Sequence, residues 1–211
     1  MNKIKSIIFD MDGVLIDARE WHYEALNQAL ELFGFTISRY DHLVTYDGLS
    51  TRQKLELLSR DSNLPRRLHC LINDLKQEYT QTKILLRCRP VFAHQYALSR
   101  LKAEGYHLAV ASNSIRQTVD EMLGRAGLIE FLEFSLSNQD VKKPKPDPQI
   151  YITAIEKLRC QKDECLIVED NERGIASAKA SGAYVLEVAD PNEVRYHSII
   201  NMIRQIEKDE A

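Results

Sequence analysis

The segment from Ile7 to Asp17 constrains the fold more strongly than any other part of the sequence. Its apolar residues 7–9 are typical of a buried strand, which ends at Asp10 and Asp12 and then at Gly13. Because side chains alternate along a strand, both carboxylates leave it on the same side. Their repulsion is relieved if a cation lies between them, and a hard cation such as Mg2+ prefers oxygen ligands. The segment therefore predicts a metal site at a strand end; an acidic turn without a ligand is the alternative.

The composition limits the class of protein. Of the 211 residues, 44% are apolar and 28% are charged, and the net charge is -3, which suits a soluble globular protein of one or two domains. The chain lacks the basic surplus of nucleic-acid-binding proteins, and the first apolar run is too short to span a membrane. The four cysteines form no Cys-x-x-Cys pair. We therefore expect a reduced cytoplasmic protein, with a monomer as the default state.

Two kinds of pattern divide the chain. Residues 17–86 show helical spacing of apolar residues and no clear strand, which predicts an all-helical insert. Asp17 is expected to cap the start of its first helix. Elsewhere helical patterns alternate with short apolar runs, at residues 107–111, 134–136, 165–168 and 184–188. This alternation predicts an α/β fold with a doubly wound, Rossmann-like parallel sheet. We expect residues 1–16 and 87–211 to form this core.

Three of the predicted strands end at polar residues. In doubly wound sheets, ligands bind outside the carboxyl ends of the strands, at the point where the strand order reverses. Residues that are far apart in the sequence are therefore expected to meet in one crevice. These residues are Asp10, Asp12, Ser112, Asn113, Glu169 and Asp170.

A segment rich in lysine and proline adds positive charge to this set. Residues 141–148 contain Lys142, Lys143 and Lys145, and the prolines stiffen the turn so that one lysine can be held in a fixed direction. Carboxylates bind Mg2+, and Mg2+ together with a lysine neutralises a phosphate group. One carboxylate then remains as a nucleophile and another as a proton donor. The set therefore indicates phosphoryl-transfer chemistry.

Four short motifs resemble those of the haloacid dehalogenase superfamily of phosphohydrolases. They occur in the family's order, at residues 9–15, 111–113, 143–148 and 168–175. The chain is similar in particular to the group that includes β-phosphoglucomutase and phosphoglycolate phosphatase. The resemblance implies that the helical insert, residues 17–86, is a cap domain, and that Lys143 is the motif lysine.

The resemblance also implies roles for the acidic residues. Asp10 is expected to be the nucleophile that becomes an aspartyl phosphate. Asp12 is expected to protonate the leaving alcohol and then to activate water. Mg2+ is expected to bind the carboxylates of Asp10 and Asp170 and the backbone carbonyl of Asp12. Glu169 is expected to orient Lys143 or a metal-bound water.

The remaining expected site residues would bind substrate. Ser112 and Lys143 are expected to hold phosphate oxygens, with the Asn113 amide beside them. On the first cap helix, His22 is either a partly buried cap residue or a group that steers Asp12. Arg52 is either a surface arginine or a substrate contact, since its spacing from the preceding glycine differs by one residue from that in the mutase.

The sequence thus predicts a Mg2+-dependent phosphatase that hydrolyses a small phosphorylated metabolite, most simply a sugar phosphate, through an aspartyl phosphate. The alternative is a phosphomutase of the β-phosphoglucomutase type. A non-catalytic binding protein on the same fold is a third hypothesis, but the intact set of Asp10, Asp12, Lys143 and Asp170 argues against it.

Overall fold

A computed structural model describes residues 4–209 of the chain, which divides into two compact units. The first, the sheet unit, joins the segment that ends at Asp17 to the segment that begins at Arg89. The second, the helical unit, is Ala18–Cys88. The sequence-based boundaries, after residues 16 and 86, fall near these positions. The helical unit is thus inserted in the sequence between the first strand of the sheet unit and the rest of that unit.

Within residues 4–209, the sheet unit contains five parallel strands in the spatial order β3-β2-β1-β4-β5. They are β1 Ser6–Phe9, β2 His107–Ala111, β3 Phe134–Leu136, β4 Cys165–Glu169 and β5 Tyr184–Glu187. The predicted doubly wound parallel sheet is therefore confirmed. The central strand, β1, is buried along its whole length, as expected when both faces of a parallel sheet are covered.

The register of the sheet aligns the ends of its three central strands. Phe9 of β1 pairs with Val110 of β2 on one side and with Val168 of β4 on the other. Asp10 follows at once, and its backbone N–H donates to the carbonyl of Val168 at 2.9 Å. Asp10 and Glu169 therefore emerge at the same edge of the sheet, at the point where the strand order reverses.

Nine α-helical segments lie within residues 4–209. They are α1 Arg19–Glu31, α2 Arg39–Asp41, α3 Thr51–Asp61 and α4 His69–Arg87 in the helical unit, and α5 Phe92–Ala103, α6 Arg116–Arg125, α7 Gln149–Leu158, α8 Glu172–Ser181 and α9 Tyr196–Asp209 in the sheet unit. None of these helices has both the length and the hydropathy that are needed to cross a bilayer.

One hydrophobic cluster joins the sheet to α7. Ile8, Ala109 and Ile167 lie on three adjacent strands and pack in the same cluster as Ile150 and Tyr151 of α7. All five residues are fully buried. Burial of a large apolar side chain stabilises a fold by about 1.5–3 kcal/mol, so this cluster fixes α7 and the segment before it against the strand ends.

The helical unit has a core of its own, contributed by α1, α3 and α4 with the segments between them. Its buried members include Leu26, Leu30, Leu55, Leu58 and Ile72. Apolar residues recur at helical spacing along each helix, which is why these segments form helices that pack on one face. The described part of this unit contains no strand, as the sequence pattern predicts.

The local structure of the helical unit differs from expectation at two points. α1 begins behind Ala18 without a side-chain cap, so the expected capping by Asp17 is wrong. Between α2 and α3 lies a π-helical turn, His42–Tyr46, which the apolar spacing did not indicate. α3 then begins with a capping box, in which the backbone N–H of Gln53 donates to Ser50 Oγ and that of Ser50 to Gln53 Oε1.

Candidate active site

Asp10 lies directly after β1 and is only 7% exposed. The chain then reverses at Gly13, whose backbone N–H donates to the carbonyl of Ile16 at 2.7 Å. Gly13 has a φ of 92°, a conformation that favours glycine. A Cβ atom at this position would lie 2.0 Å from Asp170 Oδ2. The glycine therefore permits Asp170 to approach the turn that follows β1.

The lysine that contacts Asp10 is Lys145. Its Nζ lies 2.6 Å from Asp10 Oδ1 and 2.7 Å from Glu169 Oε1. It also donates to the carbonyl of Ala111 at 2.9 Å and to Tyr151 Oη at 2.7 Å. The Lys145 side chain is 4% exposed. This single ammonium therefore links the ends of β1, β2 and β4.

The assignment of the motif lysine to Lys143 is wrong. The Lys143 side chain is 74% exposed, with its Nζ 3.7 Å from Asp147 Oδ2, and an exposed pair of this kind contributes little. The physical reason lies in the backbone after Lys143. The N–H of Lys145 donates to Asn113 Oδ1 at 3.0 Å, and Asn113 Nδ2 donates to the carbonyl of Lys145 at 3.4 Å. Asn113 thus fixes the proline-rich turn so that the second lysine enters the site.

Two further residues of the site were not foreseen from the sequence. Tyr151 Oη donates to Glu169 Oε1 at 2.6 Å. Ser114 Oγ donates to Asp12 Oδ2 at 2.8 Å, a shorter contact than the 3.3 Å from Ser112 Oγ to the same oxygen. In the sequence, Tyr151 looks like an ordinary core residue on the apolar face of α7. The one signal that could have identified it is its hydroxyl group, because a buried tyrosine hydroxyl requires a hydrogen-bond partner. Ser114 could have been found as the second hydroxyl of the polar segment after β2.

Glu169 is held by the start of α8. Its side chain is 1% exposed, and Oε2 accepts hydrogen bonds from the backbone N–H groups of Asp170 and Asn171, at 3.0 and 3.4 Å. A Cβ atom at Gly174 would lie 1.9 Å from Glu169 Oε1. The absence of a side chain at Gly174 therefore makes room for the carboxylate that contacts Lys145. Glu169 lies against Lys145 and not against Lys143.

Burial and charge act on the pKa of these groups in opposite directions. Burial is the largest effect on Asp10 and raises its pKa well above the ordinary range; the Lys145 ammonium lowers it, and the charges of Glu169, Asp170 and Asp12 raise it. Burial lowers the pKa of Lys145, but the carboxylates of Asp10 and Glu169 outweigh burial and raise it. Lys145 is therefore charged. A further cation beside the carboxylates would favour the ionised form of Asp10.

The acidic residues fit a divalent metal ion. Asp10, Glu169 and Asp170 each offer a carboxylate oxygen, and these oxygens lie within 4.8 Å of one another. The turn at Gly13 is open to the Asp170 carboxylate because it carries no Cβ. A set of hard oxygen donors suits Mg2+ better than a soft metal ion. The part of Asp12 in metal binding, through its backbone carbonyl, stays a prediction.

The other predicted substrate residues lie at separate places in the two units. Ser112 is fully buried at the end of β2, with Asn113 beside it. His22 lies on α1, with its Nδ1 3.2 Å from the Nζ of Lys76, a buried lysine of α4. Arg52 is exposed in the first turn of α3. The roles of Ser112, Asn113, His22 and Arg52 in substrate binding stay predictions.

Comparison with known protein families gives a match that covers most of the chain. The model of the haloacid dehalogenase-like hydrolases matches residues 7–188. The chain belongs to this family. The predicted family and the predicted enzyme class, a hydrolase of the haloacid dehalogenase type, are therefore confirmed.

Several members of this family resemble the chain over most of its length. A phosphorylated carbohydrates phosphatase of Thermotoga maritima is 28% identical over 188 residues, 85% of this chain and 82% of that protein. A β-phosphoglucomutase of Bacillus subtilis is 26% identical over 203 residues, 88% of this chain and 83% of that protein. The crystal structure of a β-phosphoglucomutase from Clostridium difficile has a TM-score of 0.82 at 19% identity, covering 96% of this chain and 98% of that one. This likeness confirms the haloacid dehalogenase fold.

Proposed function

We propose that this hydrolase is a Mg2+-dependent phosphatase of a small phosphorylated metabolite of the sugar-phosphate class. The observation that carries the proposal is the contact of Lys145 with Asp10 and Glu169, in the carboxylate cluster that includes Asp170. Phosphoryl transfer requires above all the positioning of the phosphate and the neutralisation of its charge. The name of the Thermotoga maritima relative supports the substrate class. A cytoplasmic location and a monomeric state stay predictions from the sequence.

In the first step, an oxygen of Asp10 attacks the phosphorus atom, and the bond between phosphorus and the leaving oxygen breaks. Asp12 donates its proton to that oxygen, which departs as an alcohol. The hydroxyls of Ser112 and Ser114, which donate to Asp12 Oδ2, hold the Asp12 carboxyl group in place. The phosphoryl group is then bonded to Asp10.

In the second step, water replaces Asp10 on phosphorus. Asp12, now a carboxylate, takes a proton from the water, whose oxygen attacks the phosphorus atom. The bond between Asp10 and phosphorus breaks, and inorganic phosphate departs. Asp10 is again a carboxylate and Asp12 again carries a proton, so both residues return to their starting states.

Lys145 supplies a fixed positive charge to this reaction. Its ammonium contacts Asp10 and is oriented by Glu169, which is itself held by Tyr151 and the start of α8. A fixed charge in a buried site stabilises the transition state more than the same charge in water, because no solvent or side chain must reorganise during the reaction. Mg2+, held by Asp10 and Asp170, would neutralise phosphate charge when bound.

Hydrolysis is proposed in preference to phosphomutase activity because the sequence offers Arg52 alone as a contact for a second phosphate group. A mutase must hold its substrate by a second phosphate while it excludes water. Arg52 is the candidate for that contact, but its side chain is exposed in the first turn of α3. Ala18 offers no hydroxyl group to a substrate. The β-phosphoglucomutase name of one relative makes mutase activity the alternative to test.

The experiment is phosphate release from p-nitrophenyl phosphate and from a panel of sugar phosphates, with Mg2+ present. We expect release by the wild type, a loss of at least about 10^3-fold for Asp10→Asn, and no change for Asp163→Asn, an exposed control. β-Glucose 1-phosphate with a trace of its bisphosphate should yield inorganic phosphate and little glucose 6-phosphate. Rapid formation of glucose 6-phosphate with negligible phosphate release would establish the mutase instead. If no substrate released phosphate, the proposed phosphatase activity would be rejected.

A further inference from the structure

Two side chains of the site are carried by the short polar segment that follows β2. Asn113 forms two hydrogen bonds with the backbone of Lys145, and Ser114 Oγ donates to Asp12 Oδ2 at 2.8 Å. The regular pairing of β2 with β3 ends just before this segment. Contacts beyond the sheet must therefore fix the directions in which Asn113 and Ser114 point.

Asn138, in the loop after β3, contacts the backbone of both residues. Its side-chain Nδ2 donates to the carbonyl of Asn113 at 2.8 Å, and its backbone N–H donates to the carbonyl of Ser114 at 3.1 Å. The first bond also determines the orientation of the Asn138 amide, because its oxygen in that place would face a second acceptor. Two hydrogen bonds from one residue to consecutive carbonyl groups hold the peptide unit between Asn113 and Ser114 in one orientation.

Asn138 belongs to a short 3-10 helix, Asn138–Asp140, which is itself anchored. Asp140 Oδ2 accepts hydrogen bonds from the N–H and the hydroxyl of Ser137, each at 2.7 Å. Arg116, in the first turn of α6, forms an ion pair with Asp140 and donates to the hydroxyl and carbonyl oxygens of Ser135, at 2.9 and 3.0 Å. Because one guanidinium meets several acceptors, this contact is better fixed than an isolated exposed ion pair. The 3-10 helix is therefore held against β3 and α6.

Two paths of contacts lead from Asn138 to the reacting groups. Through Asn113, it fixes the backbone of Lys145, whose ammonium contacts the proposed nucleophile. Through Ser114, it fixes a hydrogen bond to Asp12, the proposed proton donor. In an active site, a misplacement of about 1 Å can lower the rate by about 100-fold, even when its cause lies far from the reacting atoms. The position of Asn138 is therefore expected to affect the reaction.

We propose that Asn138 is a positioning residue, whose side chain fixes the peptide unit that links Asn113 to Ser114. Lys145 and Asp12 both depend on this peptide unit, so a single residue aligns the fixed positive charge and the proton donor. The effect on the reaction rests on the proposed function, whereas the effect on the backbone of Lys145 does not. The two effects are tested by separate measurements.

The effect on the backbone is tested by the exchange of amide hydrogens, followed by NMR in the full chain. The Lys145 N–H, which donates to Asn113 Oδ1, should exchange at least about fivefold faster in Asn138→Ala than in the wild type, as expected for the loss of one hydrogen bond from the segment. Asn138→Asp keeps the size of the side chain but replaces the donor with an acceptor, and should have at least the same effect. The Asp10 N–H, which donates to the carbonyl of Val168 within the sheet, should keep its exchange rate.

The effect on the reaction is tested by comparing kcat/KM for two leaving groups. The alcohol of a sugar phosphate requires a proton from Asp12 in order to leave, whereas p-nitrophenolate leaves readily without one. Asn138→Ala should therefore lower kcat/KM for the sugar phosphate that the wild type hydrolyses fastest by a factor at least about three times larger than for p-nitrophenyl phosphate. A loss of folded protein would lower both values by the same factor.

Gln139→Ala is the matched control in the same 3-10 helix. Gln139 is exposed, and its Oε1 accepts from the N–H of Arg116 at 2.8 Å. Its loss should leave both the exchange of the Lys145 N–H and the ratio of the two kcat/KM values unchanged. The proposal is refuted if the Lys145 N–H exchanges at the wild-type rate in both Asn138 variants, or if Asn138→Ala lowers kcat/KM equally for both substrates. Faster exchange in these variants, together with a wild type that hydrolyses no substrate, would support the effect on the backbone and reject the phosphatase instead.

Discussion

The ammonium of Lys145 lies 2.6 Å from Asp10 Oδ1, although 135 positions separate the two residues in the sequence. The same ammonium donates to the carbonyl of Ala111, at the end of β2. The contact therefore forms only when β1, β2 and the proline-rich turn have reached their places. Because both groups are buried, the sheet that stabilises the fold also sets the charge balance around Asp10, the proposed nucleophile.

The two lysines of the third motif provide a matched pair of substitutions. Lys145→Met should lower kcat for p-nitrophenyl phosphate by about 10^2–10^3-fold, because it removes a preorganised charge from the reacting centre. Lys143→Met should change kcat less than about twofold, since that side chain is 74% exposed. Thermal unfolding of both variants checks that they fold. Equal activities of the two variants would contradict the position assigned to Lys145.

Gly174 and Gly124 provide a second pair, because both lie in helices of the sheet unit. A Cβ atom at Gly174 would lie 1.9 Å from Glu169 Oε1, whereas the nearest atom to a Cβ at Gly124, Ile129 Cδ1, is 3.6 Å away. Gly174→Ala should therefore displace Glu169 and lower both activity and melting temperature. Gly124→Ala should keep full activity and raise stability by about 0.5–1 kcal/mol, from the gain in helix propensity. Parallel measurement of kcat and melting temperature checks both outcomes.

Metal dependence follows from the three carboxylates of Asp10, Glu169 and Asp170. A chelator should abolish activity, and added Mg2+ should restore it and raise the melting temperature. Ca2+ should raise the melting temperature without supporting good turnover, because its longer and looser coordination misplaces the attacking carboxylate. Asp170→Ala should increase the Mg2+ concentration needed for half-maximal activity. Full activity in excess chelator would rule out a metal at this cluster.

The buried His42 predicts how stability depends on pH. Burial, and then the positive charge of Lys54, lower the pKa of His42 from 6.5 in the unfolded chain to about 4, so the unfolded chain binds the proton first as the pH decreases. The contribution of His42 to the free energy of unfolding is complete above pH 6.5 and is lost as the pH falls from 6.5 to about 4. Urea unfolding, followed by the fluorescence of Trp21 on α1, should show a shallower loss of stability in this range for His42→Gln. The exposed control His197→Gln should behave as the wild type does.

The sheet and most of its functional edge could be predicted from the sequence because their signals are local. Apolar runs that alternate with helical patterns identify the strands, and the polar residues after each run mark the edge where ligands bind. Asp10, Glu169 and Asp170 lie together as this reasoning predicts. Because the strands pair in parallel, their carboxyl ends lie at the same edge of the sheet, so the proximity of these residues can be predicted without knowledge of individual side-chain contacts.

The choice between Lys143 and Lys145 could not be made from the sequence. Both lysines belong to one proline-rich turn, and a tertiary contact with Asn113 determines which one enters the site. The absence of a cap from Asp17 likewise depends on where the chain turns after Ile16, which no local pattern determines.

The nucleophile can be identified directly by trapping the phosphorylated enzyme. Wild-type protein is quenched in acid during turnover of p-nitrophenyl phosphate and reduced with borohydride, which converts an aspartyl phosphate to homoserine. Trypsin then releases residues 6–19, a peptide that contains Asp10, Asp12 and Asp17, and fragmentation in a mass spectrometer locates the change. We predict homoserine at position 10 alone, and none without substrate. Homoserine at position 12, or normal phosphate release with no change at position 10, would contradict the role of Asp10.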